Sequence, residues 1–339
     1  MNPFFNISNI FKTIIMLILL ATTSYYAFSQ KKVDDDIEEF YKEKVAITMD
    51  TSYINYEVGT WSIRAFSIIK DHSFQLRNSD IKFNYTPNNR FGVGFGVAYY
   101  PVLLDIGFNI KPRQKEPTKR FDMQAKVLLR DHYFGLVVQD YKGFNISSSE
   151  MNDKIFREDI RSSAINLTYG YVFNSKRASA GSIFSGFHVQ KRNVGSFILG
   201  GFFSYYRMRA DSSIVPVEQQ NLFNGSSGIN GAKNIGGGII GGYGHIFVFP
   251  HNLFLFINIL PGIGLIKKNI TTESSSYQPS DPLLYRLNFN LSFGYNGPKF
   301  YIIITGGDDI SITSLDFGNW GALNIGKAKL IFGYKFRKQ

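Results

Sequence analysis

Leu283-Leu284-Tyr285-Arg286-Leu287-Asn288-Phe289-Asn290-Leu291-Ser292-Phe293-Gly294-Tyr295 alternates with a period of two: the odd positions are apolar or aromatic, and the even ones are polar or glycine except Leu284. Such alternation puts one kind of side chain on each face of a pleated strand. The pattern recurs. Phe91-Gly92-Val93-Gly94-Phe95-Gly96-Val97-Ala98-Tyr99 has one bulky face and one nearly bare. Phe121, Met123, Ala125, Val127 and Leu129 alternate with Asp122, Gln124, Lys126, Leu128 and Arg130. Near the C-terminus Ala328, Leu330, Phe332, Tyr334 and Phe336 oppose Lys327, Lys329, Gly333, Lys335 and Arg337. Further candidate strands lie near 61–70, 80–87, 102–110, 132–142, 163–174, 183–190, 196–209, 234–248, 252–266 and 299–306. Several exceed the roughly five or six residues usual in globular strands and fit the roughly 9–11 of a tilted membrane-crossing strand. No segment carries a sustained helical period.

Composition narrows the class. Of 339 residues, 19% are charged and 16% aromatic, with 32 Phe, 20 Tyr, 32 Gly and no Cys. Without Cys there is no disulfide framework, Cys-ligated metal, thiol nucleophile or lipobox anchor. A hydrophobic fraction of 44% is too high for disorder, and a mean hydropathy of −0.09 is too low for a bundle of membrane helices. A membrane β-barrel averages to such a value, because outward apolar residues are balanced by inward polar ones.

At the N-terminus Lys12 precedes the apolar run Ile14–Ala21, and Ala27 and Ser29 supply the small residues of a cleavage site. We read residues 1–29 as a signal peptide and 30–59 as a charged periplasmic lead-in, with the barrel over 60–339. The acidic cluster Asp34–Asp36 in the lead-in reads as solvated rather than as a calcium site. The net charge of +11 becomes +10 once Lys12 leaves with the signal, and export directs that charge toward anionic lipid and solutes rather than nucleic acid.

The expected fold is an all-β, transmembrane, antiparallel up-and-down barrel of about twelve strands (range 10–14) in the cell outer membrane. Phe and Tyr crowd the ends of the strands, as in the aromatic girdles of membrane barrels, and a closed ring leaves no unpaired edge in lipid. Strand number is less determined: the segments above amount to fourteen. Counting back from a periplasmic C-terminus then puts 210–233, 267–282 and 307–324 outside but leaves 111–120 and 143–162 in the periplasm. Either an early strand is miscounted or the periplasmic loops are unusual.

Several segments resemble a family of outer-membrane barrels of Bacteroidota filed as domain of unknown function four-four-two-one. They are Asn84-Tyr85-Thr86-Pro87-Asn88-Asn89 with Gly92–Val97, Phe121-Asp122-Met123-Gln124 with Tyr141-Lys142-Gly143-Phe144, and Asp159-Ile160-Arg161-Ser162. Gln190–Phe197 and Leu260-Pro261-Gly262-Ile263-Gly264 complete the series. The resemblance implies an outer-membrane barrel and brings no established activity or catalytic residues.

Gly236-Gly237-Gly238-Ile239-Ile240-Gly241 satisfies the dinucleotide fingerprint but sits inside a strand-like run with no helix after it, so small residues in a curved strand account for it. The histidines 72, 132, 188, 245 and 251 show no metal-ligand spacing, and no nucleophile elbow surrounds any serine. A hydrolase could still be assembled from His188 or His245 with a lumen serine. No metal, cofactor or catalytic residue is assigned. The loop Lys111–Arg120, with five cations and one carboxylate, either grips phosphates of lipopolysaccharide or is a solvated loop. By alternation Arg64, Lys126, Arg130, Arg286, Lys327 and Lys329 face the lumen, where they bias a pore toward anions or pair with Asp105, Asp122 and Asp140 and plug it. The expected function is a passive or gated conduit or an envelope scaffold, with protein partners unspecified. The alternative is a barrel-embedded enzyme acting on lipid or glycan.

Overall fold

The period-two segments pair into a ring. The computed structural model describes residues 49–56, 61–99, 102–110, 117–223 and 228–336, so the signal peptide, lead-in residues 30–48 and loop residues 111–116 lie outside the described residues. In chain order a short strand β1 (Ile54–Tyr56) is followed by β2 (Trp61–Arg77), β3 (Lys82–Thr86), β4 (Phe91–Tyr99), β5 (Val102–Asn109), β6 (Lys119–Leu128), β7 (His132–Ser147) and β8 (Ile155–Val172). A helical turn α1 (Ala180–Phe184) and β9 (His188–Gln190) precede β10 (Val194–Arg209), β11 (Ile229–Phe249) and β12 (Leu253–Thr272). The two-residue β13 (Ser276–Tyr277), β14 (Leu283–Asn296), β15 (Phe300–Ser314) and β16 (Trp320–Phe336) complete the chain.

Twelve of these strands, β2, β4–β8, β10–β12 and β14–β16, form one antiparallel sheet closed by the pairs β11–β12 and β16–β2. Two of the fourteen sequence segments are therefore not barrel strands. Residues 80–87 hold β3, a flap paired to β2 and β7 beyond the ends of β4–β6. Residues 183–190 hold the end of α1 and β9, and β9 pairs with β1 in a separate two-stranded sheet. Removing both resolves the conflict over sidedness. The strand ends that flank 110–118, 148–154 and 210–228 now lie at one end of the barrel, and much of 143–162 and 307–324 is strand. The opposite end, where Trp61 meets Phe336 and Tyr99, carries short turns except for the α1–β9 connection.

The outer face is apolar because alternation leaves it no choice. On β4 the outward Phe91, Val93, Phe95 and Val97 are exposed while Gly92, Gly94, Gly96 and Ala98 are buried inward. Phe197 is 68% exposed, and Ile239, Leu265 and Leu291 are exposed on neighbouring strands. A water-soluble monomer does not expose a continuous belt of this kind. A closed antiparallel ring of even strand number with such a belt is an outer-membrane β-barrel. No helix among the described residues is long and apolar enough to cross a membrane, so the crossing belongs to the strands.

Inside, the alternation is broken where the bore must be filled. Leu284, the exception in the stretch first quoted, turns inward and packs with Ile198, Phe202, Ile240 and Leu260. At the end with the longer connections Phe83, Tyr85, Tyr141, Phe144, Ile214, Val215 and Phe223 form a buried cap, with the Tyr85 hydroxyl donating to the Ile214 carbonyl at 3.0 Å. At the turn end Ala178 and Ile183 of the α1 segment pack against Phe66, Phe254, Phe256 and Tyr301 of the wall.

Candidate functional site

The candidate site is the filled lumen, built from side chains that alternation turns inward. Gly96 on β4 leaves room beside β2 and β5: a Cβ there would meet Asp105 Oδ1 at 2.2 Å and Arg64 Nε at 3.0 Å. In that room the Arg64 guanidinium donates to both Asp105 oxygens at 2.7 and 2.6 Å, and Lys329 reaches Asp105 Oδ2 at 2.6 Å. All three side chains are buried, so one carboxylate between two cations concentrates a charge cluster in low dielectric. One level further along, Lys70 pairs with Asp122 at 2.6 Å, and across the bore Arg286 pairs bidentately with Asp309 under the Phe202 ring.

Of the residues singled out by alternation, Arg64, Lys126, Arg286, Lys327, Lys329, Asp105 and Asp122 line the inside. Two do not. Arg130 lies in the turn after β6 and pairs with its neighbour Asp131 at 2.6 Å, because the strand stops at Leu128. Asp140 stands on the outer face of β7 and takes the Arg161 guanidinium at 2.9 and 2.6 Å. Its neighbours Gln139 and Tyr141 are the inward residues, so β7 runs in the other phase from that assumed for Asp140. Lys70, His72, Gln139, Ser162 and Asp309 were not singled out. Lys70 and His72 continue the inward parity of β2 past the apolar pair Ile68-Ile69, a signal that strand length hides.

Two histidine–serine pairs occur, so the hydrolase alternative is tested by geometry. Gln139 Nε2 donates to Asp122, which leaves its Oε1 to accept from His72 Nδ1 at 2.8 Å; His72 Nε2 then accepts from Ser162 Oγ at 2.7 Å. His72 and Ser162 are fully buried, and neither lines the lumen chamber beside Lys126 and Lys327 or the smaller cavity beside Phe74, so this network packs the wall. In the plug Ser179 Oγ lies 2.6 Å from His188 Nδ1. Burial, aided by the Lys335 ammonium, pushes His188 down to about 3. A base that weak takes no proton from a serine near neutral pH. His245 stands on the outer wall against Phe247.

The plug closes the turn end. β1 and β9 pair inside the ring, Arg64 donates to the Phe184 carbonyl at 2.5 Å, and Asn296 donates to the Ser182 and His188 carbonyls at 3.1 and 2.7 Å. Residues 49–56, assigned by sequence to the lead-in, thus belong to the barrel's own compact unit. Above α1 lies a chamber of about 150 Å³, space for on the order of ten waters. Phe184, Ile198 and Phe256 supply apolar wall, and Asn166, Asn258 and Asn290 supply polar groups. Lys126 and Lys327 also face it, and neither has a carboxylate partner among the described residues: Lys126 sits 3.4 Å over the Phe184 ring, and Lys327 donates to Gln124 at 3.1 Å. The run Gly236–Gly241 lies within the single long strand β11, with no helix behind it and no phosphate cradle. No group of three or more metal-ligating side chains occurs among the described residues.

Solved structures similar to this chain are outer-membrane barrels. The outer membrane protease OmpT of Escherichia coli aligns at 8% identity and a TM-score of 0.43, covering 83% of this chain and 98% of that one. The transport unit of the autotransporter AIDA-I of Escherichia coli aligns at 8% identity and 0.36, covering 88% and 96%. The β domain of the Bordetella autotransporter BrkA aligns at 10% identity and 0.35, covering 82% and 100%. No protein of curated function matches the sequence. The model of the family described as Domain of unknown function (DUF4421) matches residues 48–336, the whole of the barrel and its plug, and the chain belongs to that family.

Proposed function

We propose that the protein is a gated conduit of the outer membrane for a small amphiphilic anion, held shut by the plug that β1, α1 and β9 form. The observation that carries this reading is the chamber: two lysines without carboxylate partners among the described residues face a space whose walls are mostly apolar. A purely structural filling would pair those cations, as Arg64, Lys70, Arg286 and Lys329 are paired. The plug is joined to the wall by hydrogen bonds and side-chain packing, without belonging to the barrel sheet, so it can leave without breaking a barrel ladder. By the usual rule that long loops face outward and short turns the periplasm, the plug sits at the periplasmic mouth.

The test is current across a planar bilayer. Wild-type protein is expected to be closed with rare openings. A variant in which residues 178–190 are replaced by a short Gly-Ser linker is expected to pass a steady anion-selective current, and Lys126→Gln with Lys327→Gln in that background removes the selectivity. Silence from the plug-deleted barrel overturns the conduit. It would favour a scaffold, a second reading supported by the ion pairs and aromatic cap that pack the bore. The enzyme alternative has less support, since one histidine–serine pair is fully buried and the other holds a base too weak to act.

A further inference from the structure

The outer wall carries a row of cations that the sheet places side by side. Strand register sets Lys119 of β6 opposite Lys142 of β7, Lys142 opposite Arg161 of β8, and Arg161 opposite Arg209 of β10. One step toward the belt, Arg207 of β10 lies opposite Lys233 of β11. Directly opposed residues have Cβ atoms about 4.5–5.5 Å apart, and like charges at that distance are destabilising. Among the described residues two carboxylates relieve them: Glu158 sits 3.4 Å from Lys119, and Asp140 holds Arg161. Among the described residues no carboxylate comes within ion-pair reach of Lys142, Arg207, Arg209 or Lys233. A sheet that leaves four outward cations on β7, β10 and β11 without matching acids among the described residues is built to meet negative charge from outside.

Position says where that charge comes from. Going toward the turn end along the same outward faces, Arg207 gives way to Tyr205 and Phe203, Lys233 to Ile235, and Arg161 through Ser163 to Ile165 and Leu167. The cations therefore mark the level where the apolar belt ends, at the barrel end with the longer connections. That is the headgroup level of the outer leaflet. Four strands at about 4.8 Å spacing spread the row over about 14 Å, enough to engage more than one phosphate of a single headgroup. Of the described residues of the loop Lys111–Arg120, Lys119 joins the row and Arg120 donates to the Phe91 carbonyl.

We propose that this outer face of β6–β8, β10 and β11 is a binding site for the phosphorylated headgroup of an outer-leaflet lipid, lipopolysaccharide in a Gram-negative envelope. It lies on the wall opposite to the lumen chemistry and is independent of conduction. The test uses full-length protein in phosphatidylcholine nanodiscs titrated with lipopolysaccharide. Exchanging Lys142→Gln, Arg207→Gln and Arg209→Gln together is expected to weaken binding on the order of a hundredfold, at about fivefold per cation. Wild-type protein titrated with enzymatically dephosphorylated lipopolysaccharide is expected to lose affinity by a similar factor, and that arm needs no variant to fold. Arg207→Lys with Arg209→Lys, which keeps the charge, is expected to stay within a few-fold of wild type, and inorganic phosphate at equal concentration is expected not to compete. Equal binding by the triple variant, equal binding of the dephosphorylated lipid, or competition by inorganic phosphate each overturns the proposal.

Discussion

Gly94 on β4 and Gly238 on β11 both face the bore of the same barrel and do opposite things there. A Cβ at Gly94 would strike the Phe66 ring at 2.3 Å, with the Ile106 carbonyl oxygen at 2.5 Å behind it; a Cβ at Gly238 would strike the Ile263 carbonyl oxygen at 2.2 Å and Gly264 Cα at 2.4 Å. On the β4 side the missing side chain is replaced by a neighbour's side chain, so glycine serves the packing of the lumen. On the β11 side it is replaced by a neighbour's backbone, so glycine lets two long strands run close together. The lesson is that glycine on the inner face of a barrel does not by itself mean an open lumen.

The largest expected effect tests the packing on the β4 side. Asp105→Asn leaves Arg64 and Lys329 buried with their shared negative charge gone, and stability is expected to fall by about 3–5 kcal/mol, read from the urea midpoint of refolding into vesicles. An unchanged midpoint would mean that water already reaches this cluster.

The next effect separates the two glycines. Gly94→Ala and Gly238→Ala are each expected to cost about 1–3 kcal/mol by overpacking. Adding Phe66→Leu to the first is expected to restore part of the loss, because the smaller side chain removes the ring contact while the Ile106 carbonyl oxygen stays. No single side-chain truncation is expected to rescue Gly238→Ala, since its obstacle is main chain. If truncating a side chain near Gly238 restores stability as well as Phe66→Leu does for Gly94, the distinction fails.

The plug adds a third kind of fit, sensitive to acid. His188 is buried neutral with its pKa near 3, below the 6.5 of an exposed imidazole. The unfolded plug therefore takes up a proton first as pH falls. The stabilisation is complete above pH 6.5 and is lost on the way down toward 3, at about 1.4 kcal/mol per pH unit. Protease cutting within 178–193 is expected to accelerate between pH 7 and pH 4.5 in wild type and much less in His188→Asn. Cutting that is equally acid-sensitive in both would assign the effect to another group.

The smallest effect is on the outer wall. Asp140 pairs there with an Arg161 side chain that is 43% exposed, and Asp140→Asn is expected to change stability by at most about 1 kcal/mol in lipid-free detergent. A loss as large as that at Asp105 would show that this pair is shielded as the lumen pairs are.

The twelve crossing strands and the two faces of the wall were legible because periodicity is local: each strand carries its own alternation, and lipid outside enforces it. Phase was misread at Asp140 for the same local reason, since a polar run such as Gln139-Asp140-Tyr141-Lys142 has no apolar partner face to set its parity. The filling of the bore was not legible. Which cation meets which carboxylate depends on strands far apart in sequence, as with Asp105 and Lys329, and the plug's two short strands, 54–56 and 188–190, alternate too briefly to be told apart from lead-in or barrel strand.

The sequence alone determined that the chain closes a lipid-facing barrel, because a period of two and an aromatic, glycine-rich composition are properties of each strand by itself. Only the tertiary structure decided that the lumen is shut, that most of its charges cancel in pairs and that two lysines remain in a chamber. Those outcomes depend on shear, register and long-range approach, which bring together residues that no local pattern connects.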